Sequence, residues 1–263
     1  MPENNLFAIK KRITAATQTR KITRTMELIA SSRLQRGKTL LAGFQLWLTH
    51  MGEAVRVLPD SYFAPLEDNE SGEDKKKAYI VFGGSKGLSG AYSPNLLQYA
   101  KPIVAGHIVL AVGSAAEMFF HDAHSVFADD LPSATYAKGL AIAAKTLFES
   151  RQAHEVYMIY TQSSRHITKQ LLPLIRPEEY IDNAIKEPSE QVLFPVLFDE
   201  YCQSLLYETH LHAFISEQVA RVSAMDSATR NADEIVEDLQ ATYNRMRQSA
   251  ITQEIITLSN AAR

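Results

Sequence analysis

Cysteine is almost absent from this chain of 263 residues, which contains only Cys202. A single thiol cannot build an intramolecular disulfide framework, so a reducing compartment is expected. No run approaches about 20 apolar residues, which excludes a membrane-spanning helix, and residues 1–21 lack the apolar core of a signal peptide. The net charge of −3 argues against a nucleic-acid binder. Any membrane association is therefore expected to come through a partner.

Glycine and proline are missing from the last part of the chain. The last glycine is Gly139 and the last proline is Pro195, so residues 196–263 form 68 positions without a helix breaker. Residues 3–58 contain no proline and only three glycines. Because an interior glycine costs a helix about 1 kcal/mol and a proline about 3, we expect two long helices. At about 1.5 Å per residue they would span ~100 Å and ~84 Å, so each should cover the apolar face of the other.

Apolar residues in the C-terminal segment recur in alternating steps of four and three, which is the heptad spacing of a coiled coil. This stripe comprises Leu211, Ile215, Gln218, Val222, Met225, Thr229, Ala232, Val236, Leu239, Tyr243, Met246 and Ala250, with two polar interruptions. A weaker N-terminal stripe comprises Leu6, Ile9, Ile13, Ile22, Met26, Ile29, Leu40, Phe44, Trp47, Met51, Val55 and Leu58. An amphipathic helix in an ordinary bundle is the alternative, which the length of the first stripe disfavours.

The two segments carry opposite charge. Residues 1–58 contain ten Lys/Arg and three Asp/Glu, a net charge of +7, whereas residues 196–263 contain five Arg and ten Asp/Glu, a net charge of −5. Pairing the two segments sets opposite charges together, and self-pairing would set like charges together. We therefore predict a long antiparallel two-helix coiled coil from the N- and C-termini, because both helices must leave the connecting residues on the same side.

The middle of the chain alternates short apolar runs with helical stretches. Strands are predicted at residues 78–82, 107–112 and 155–162, with 125–128 and 166–175 as further candidates, and helices at 94–101, 115–121 and 135–150. This alternation predicts a central Rossmann-like α/β domain with a largely parallel sheet. The predicted domains are the N-terminal coiled-coil helix 1–58, a flexible linker 59–77, the α/β domain 78–190 and the C-terminal coiled-coil helix 191–263.

A glycine-rich loop at residues 83–91 stands where a phosphate-binding loop would stand, between a predicted strand and a predicted helix. Its glycines do not follow the G-x-G-x-x-G spacing, and Lys86 is followed by Gly87 instead of Ser or Thr. A structural turn is favoured, and a phosphate site is the alternative. The histidines lack further ligands at metal-binding spacing, and nothing in the sequence activates Cys202 as a nucleophile. We predict no catalytic residue, cofactor or metal.

Four segments of the sequence, at residues 21–38, 87–97, 187–193 and 216–254, together resemble the gamma subunits of F-type ATP synthases. Residues 216–254 resemble the family's C-terminal helix nearly throughout, and KITRTMELIASSRLQRGK at 21–38 is similar to its N-terminal helix. GLSGAYSPNLL at 87–97 resembles its glycine-bearing loop, and EPSEQVL at 187–193 resembles the start of its final helix. The resemblance implies a shaft through a ring of alternating alpha and beta subunits. The middle domain would lie beside the epsilon subunit on a membrane ring of c subunits.

The resemblance also implies a function. The chain would be a non-catalytic central-stalk subunit of a proton-translocating ATP synthase, which couples rotation of the membrane ring to conformational change in the catalytic beta subunits. The implied contacts with the beta-subunit ring are Met26, Arg247, Gln248, Thr252 and Glu254, with a shaft contact at Arg221. Without a transit peptide or a paired-cysteine insert, a bacterial version is expected, peripheral on the cytoplasmic face of the cell membrane.

Two alternatives of other classes remain. One is a coiled-coil scaffold or adaptor with an α/β head outside any rotary motor, and the other is an α/β nucleotide-binding enzyme that uses residues 83–91. The basic residues of segment 20–38 are expected to form either a solvated coiled-coil face or a docking surface for an acidic protein partner.

Overall fold

The computed structural model describes residues 2–63, 76–121, 123–126, 131–175, 187 and 189–261, with the side chains of 2–5, 124–126 and 261 excepted. Its elements in chain order are α1 Pro2–Ala54, the 3-10 helices Val55–Val57 and Asp60–Tyr62, β1 Lys77–Phe82, α2 Tyr92–Val104, β2 Ile108–Val112, α3 Ser114–Phe119, β3 His124–Val126, α4 Ala134–Glu149, β4 Glu155–Gln162, β5 Arg165–Leu172 and α5 Glu190–Ala261. In the described part, no helix combines the length and the hydrophobicity needed to cross a bilayer.

The two long helices predicted from the missing helix breakers are present, with 53 residues in α1 and 72 in α5. α5 begins before Pro195 and contains it. A proline inside a helix removes one backbone hydrogen bond. Phe194 and Phe198, on either side of it, are buried and lie against the ring of Tyr62, with ring centroids 6.4 Å and 5.3 Å away. The burial of these two rings stabilises the first turns of α5 around the proline.

The strands of the described residues form one sheet in the order β3-β2-β1-β4-β5. β1 pairs in parallel with β2 and β4, and β2 pairs in parallel with β3, whereas β4 and β5 form an antiparallel hairpin. The central strand β1 is buried on both faces. Its Tyr79 and Val81 pack with α2 and α3, while Ile80 and Phe82 pack with α4 and α5. Burial on both faces explains why this strand is one continuous apolar run.

The chain divides into two compact units, Met1–Ser31 with Arg221–Arg263, and Ser32–Ala220. Within the first unit, Arg20 forms an ion pair with Asp233, with Nη1 3.0 Å from Oδ1. The Thr229 hydroxyl donates to the Thr23 hydroxyl at 2.8 Å. Along α1 the contact residue advances from Arg20 to Thr23, while its partner in α5 goes back from Asp233 to Thr229. The two helices therefore run antiparallel in this unit.

The second unit contains the remaining contacts between α1 and α5. The Trp47 indole N–H donates to the Ser204 hydroxyl at 3.2 Å, and the Phe44 ring lies edge-on to Tyr207 with centroids 4.8 Å apart. The numbering again runs in opposite directions along the two helices. The predicted fold class, an antiparallel pair of terminal helices with a central α/β domain, is confirmed.

The predicted apolar stripe of α5 is confirmed within the first unit, where Met225, Ala232 and Val236 are all buried. The predicted stripe of α1 is wrong in its middle. Ile22, Met26 and Ile29 are 59%, 38% and 45% exposed, and the buried residues are instead Thr23 and Ala30. Small side chains face α5 because they let two helices approach closely, and the large apolar side chains are left on the outer surface.

Several predicted segments fall on residues that the structure does not describe. Residues 64–75 of the predicted linker 59–77 lie outside the described residues, as do 127–128 of the candidate strand 125–128. The same holds for 176–186, near the end of the predicted α/β domain. The domain boundaries therefore stay a prediction.

Candidate functional site

The glycine-rich loop follows β1, at the edge where open α/β sheets commonly bind ligands. Gly83 and Gly84 are explained by close packing within the protein, whereas an added Cβ on Gly87 would meet nothing within 4 Å. A Cβ on Gly83 would lie 2.8 Å from the Cβ of Ala116, and a Cβ on Gly84 would lie 2.4 Å from the Oγ of Ser93. Gly113 has φ +91°, and a Cβ there would lie 2.9 Å from the Gly83 carbonyl oxygen. The loop is pressed against α2 and α3, which favours the structural-turn interpretation.

The crevice beside this loop is occupied by α5. The Ser216 hydroxyl donates to the carbonyl oxygen of Thr161 at the end of β4, at 2.9 Å. The Tyr92 hydroxyl donates to the carbonyl oxygen of Ala213 at 3.0 Å. Since α5 lies where a nucleotide would have to enter, the geometry disfavours the enzyme alternative.

The other candidate chemical groups are separated from one another. Among the described residues, no group of three or more His, Cys, Asp and Glu lies close enough to hold a metal ion. His210 packs against the ring of Phe82, with centroids 5.7 Å apart, whereas His212 has its Nε2 3.8 Å from a carboxylate oxygen of Glu208. Burial raises the pKa of the Cys202 thiol to about 12. This thiol therefore stays protonated near neutral pH and is a weak nucleophile.

The four predicted contact residues near the C-terminus share an exposed stretch of α5. Arg247, Gln248, Thr252 and Glu254 are all exposed, and they span about two turns of helix. The Thr252 hydroxyl donates to the backbone carbonyl of Gln248 at 2.9 Å. That bond lies within the helix and leaves the surface accessible to a partner.

Met26 and Arg221 lie apart from that stretch. Because Arg20 pairs with Asp233, Met26 is level with about residue 227 of α5, roughly 30 Å along the helix from Arg247. The structure therefore does not bring Met26 and the Arg247 group into one patch. Arg221 is only 8% exposed, so it offers little surface to another subunit.

Two exposed apolar surfaces lie on the long helices, and only Met26 among their residues was predicted from the sequence as a partner contact. The α1 stripe consists of Ile22, Met26 and Ile29, described above. The α5 end consists of Ile251, Ile255 and Leu258, which are 48%, 62% and 70% exposed. Both sets follow the i, i+4, i+7 spacing of one helix face. For the first set this spacing had predicted the face toward α5, and for the second set it is the signal that could have found the surface. Exposed apolar surfaces of this kind mark sites of protein interaction.

A charged groove of about 700 Å³ lies in the first unit, lined by Arg20, Lys21, Arg24, Thr25, Asp226, Thr229, Arg230 and Asp233. Several of these charges are paired within the groove or nearby. Arg230 pairs with Asp226 at 2.5 Å, and Arg24 pairs with Glu27 at 2.8 Å. Its lining residues comprise four basic and two acidic side chains, so the groove is basic overall.

Comparison with known proteins identifies the family. Residues 5–263 match the family model described as ATP synthase. The chain is 32% identical over 290 aligned residues to the ATP synthase gamma chain of Ruminiclostridium cellulolyticum, and the match covers 98% of both proteins. The chain belongs to the ATP synthase gamma-chain family. The resemblance recognised in the sequence is thereby confirmed.

Further members of the family are similar over the same length. The gamma chain of Acetobacterium woodii, named as sodium ion specific, is 30% identical, with 98% of both proteins covered. Among solved structures, a chain of the Euglena gracilis mitochondrial ATP synthase matches with a TM-score of 0.68 at 13% identity, covering 99% of this chain and 94% of that one. A central-stalk and c-ring structure from Tetrahymena thermophila matches with a TM-score of 0.59 at 19% identity, covering 79% of this chain and 99% of that one. The solved structures show that the fold is that of ATP synthase chains. The full-length similarity to gamma chains is what disfavours the scaffold alternative.

Proposed function

We propose that this chain is the central stalk subunit of a bacterial F-type ATP synthase. The observation that carries the proposal is the full-length match to bacterial ATP synthase gamma chains, which covers 98% of both proteins in the first comparison given above. In this role the chain has no catalytic residue of its own. The packed glycine loop and the buried Cys202 agree with this, since neither offers a site for chemistry.

The mechanism is the coupling of rotation to conformational change. One monovalent ion crossing a bilayer yields about 2.3 kcal/mol per 100 mV, so the work of several ions has to be combined for one ATP. A stiff and asymmetric shaft combines it mechanically, because each face of the shaft favours a different conformation of a surrounding subunit. Here α1 supplies basic residues and α5 acidic residues, so the paired helices present unlike faces.

The partners follow from the exposed surfaces. Met26, Arg247, Gln248, Thr252 and Glu254 are proposed to contact the beta subunits of the alternating alpha and beta ring. Arg can donate a planar pair of hydrogen bonds to a carboxylate, and the α1 stripe and the α5 end add apolar surface that a surrounding ring would cover. The α/β domain is proposed to lie beside the epsilon subunit on the c-subunit ring. Arg221, which is buried, is proposed to act as a contact within the shaft.

The proposed location is the cytoplasmic face of the bacterial cell membrane, where the chain is held peripherally by its partner subunits. This proposal is supported by the bacterial relatives. Because one relative is named as sodium ion specific, transport assays should use both proton and sodium gradients.

The test compares two double variants of exposed α5 residues. Arg247→Ala with Gln248→Ala removes the proposed contact, and Glu237→Ala with Gln240→Ala is the matched control, also one charged residue and one glutamine at exposed positions. Both should leave the free energy of unfolding of the isolated chain within about 0.5 kcal/mol. In reconstituted vesicles, only the first should lower ATP synthesis driven by the ion gradient. If both variants synthesise ATP equally well, the Arg247 group is ordinary helix surface.

A further inference from the structure

Two hydrogen bonds attach α5 to the carboxyl end of the sheet in the second unit. One is donated by the Ser216 hydroxyl to the carbonyl oxygen of Thr161 in β4, at 2.9 Å. The other is donated by the Tyr92 hydroxyl to the carbonyl oxygen of Ala213, at 3.0 Å. Tyr92 is the first residue of α2, directly after the glycine loop that follows β1. The same stretch of α5 is therefore held from the ends of two neighbouring strands.

The Tyr92–Ala213 hydrogen bond is buried, and the Ser216–Thr161 hydrogen bond is partly buried. Tyr92, Thr161 and Ala213 are 8%, 3% and 4% exposed. A Cβ on Gly84 would lie 3.4 Å from a carboxylate oxygen of Glu217, so the loop backbone itself lies against the same turn of α5. When a buried hydrogen bond breaks without water to replace the partner, the full desolvation cost of the polar groups remains. The contact should therefore open rarely.

The geometry resists rotation of α5 about its own axis. Ala213 and Ser216 are three residues apart and lie on one face of the helix. A turn of about 20° would move the Ala213 carbonyl oxygen, which lies with the helix backbone ~2.3 Å from the axis, by about 0.8 Å, and the Ser216 hydroxyl, ~4 Å from the axis, by about 1.4 Å. Shifts of this size would lengthen and misalign both hydrogen bonds and so weaken them. A purely apolar contact has no such directional requirement and would slide more easily.

We propose that the Tyr92–Ala213 and Ser216–Thr161 hydrogen bonds form a torque-bearing joint, which prevents α5 from turning independently of the sheet. The proposal rests on the rotor function proposed above and adds the atoms that carry the load. α5 is one uninterrupted helix from Glu190 to Ala261, so a helix held at this joint has no break at which it could turn freely.

The test uses a joint variant and a control variant in the reconstituted complex. The joint variant is Tyr92→Phe with Ser216→Ala, which removes both hydroxyl groups at little change in volume. The control is Tyr99→Phe with Ser223→Ala, since Tyr99 also lies in α2 but its hydroxyl faces Thr168, at 3.3 Å. ATP hydrolysis and ion transport are measured on the same vesicles. The joint variant should hydrolyse ATP at the wild-type rate and transport fewer ions per ATP, while the control should behave as wild type.

A rescue and a motor-independent measurement complete the design. Ser216→Thr keeps a hydroxyl group and should keep wild-type coupling. In the isolated chain, amide hydrogen exchange of residues 212–217 should be about tenfold faster or more in the joint variant, because two hydrogen bonds are lost. If the double variant fails to assemble, the single variants Tyr92→Phe and Ser216→Ala replace it, each with part of the loss expected.

The possible failures can be told apart. An assembled joint variant that couples as well as the control would overturn the joint and leave the rotor function intact. A wild-type chain that does not assemble with alpha and beta subunits would overturn the rotor function. If the wild-type chain does not assemble, amide exchange in the isolated chain still tests the joint. Unchanged exchange at residues 212–217 in the joint variant would then show that the two hydrogen bonds do not hold α5.

Discussion

Gly37 and Gly43 offer a matched test of how closely α1 and α5 pack in the second unit. Both lie inside α1, so replacing either by leucine should gain most of about 1 kcal/mol of helix propensity. At Gly43 an added Cβ meets nothing within 4 Å. At Gly37 it would lie 3.1 Å from the Cγ1 of Ile215 and from two ring carbons of Phe214. A leucine at Gly37 must therefore push α5 away, and a leucine at Gly43 need not.

The expected magnitudes follow from these distances. Gly43→Leu should raise the free energy of unfolding by about 0.8 kcal/mol, the propensity gain alone. Gly37→Leu gains the same amount but overpacks the contact at a cost of about 1–3 kcal/mol. The free energies of unfolding of the two variants should therefore differ by about 1–3 kcal/mol.

Urea unfolding of the two purified variants, followed by far-ultraviolet circular dichroism, measures this difference. Trp47, the single tryptophan of the chain, gives a second signal from the same pair of helices, because its indole donates to Ser204. Gly37→Ala and Gly43→Ala repeat the comparison with a smaller perturbation, and the first should gain less. Equal stabilisation by the two leucine substitutions would refute a close helix contact at Gly37.

Three further predictions concern the thiol, the helix pairing and the glycine loop. Burial raises the pKa of the Cys202 thiol to about 12, which is about 4 units above pH 8. At pH 8, Ellman's reagent should therefore modify Cys202 only as fast as the protein unfolds. Rapid modification of the folded chain would contradict the burial of this thiol. With Cys202 inert, Thr23→Cys with Thr229→Cys should form a disulfide within one chain, since the two native hydroxyl oxygens are 2.8 Å apart. Disulfides found only between chains would count against the intramolecular pairing. The isolated chain should not bind ATP in a calorimetric titration, and micromolar binding that Lys86→Ala abolishes would restore the enzyme alternative.

The candidate site was predictable in part. The exposed positions of Arg247, Gln248, Thr252 and Glu254 agree with a contact role, although that role is still a prediction. The resemblance gave no reason to expect that Arg221 is buried. The hydrogen bonds of Tyr92 and Ser216 could not be predicted, because they join segments far apart in the chain. Nothing in the spacing of these two residues indicates that a tyrosine after the glycine loop would reach a carbonyl of the last helix.

The sequence by itself determined which segments are helix and which are strand. Helix length depends on local breakers, so the absence of glycine and proline after Pro195 was enough to predict most of α5. The continuous apolar run of β1 was enough to predict a strand there. Only the tertiary structure decided which face of α1 meets α5. The sequence pattern favoured Ile22, Met26 and Ile29, whereas the structure buries Thr23 and Ala30. Periodicity shows which residues are apolar, but the distance between two helix axes depends on the size of the side chains between them, and that is settled only when both helices are packed.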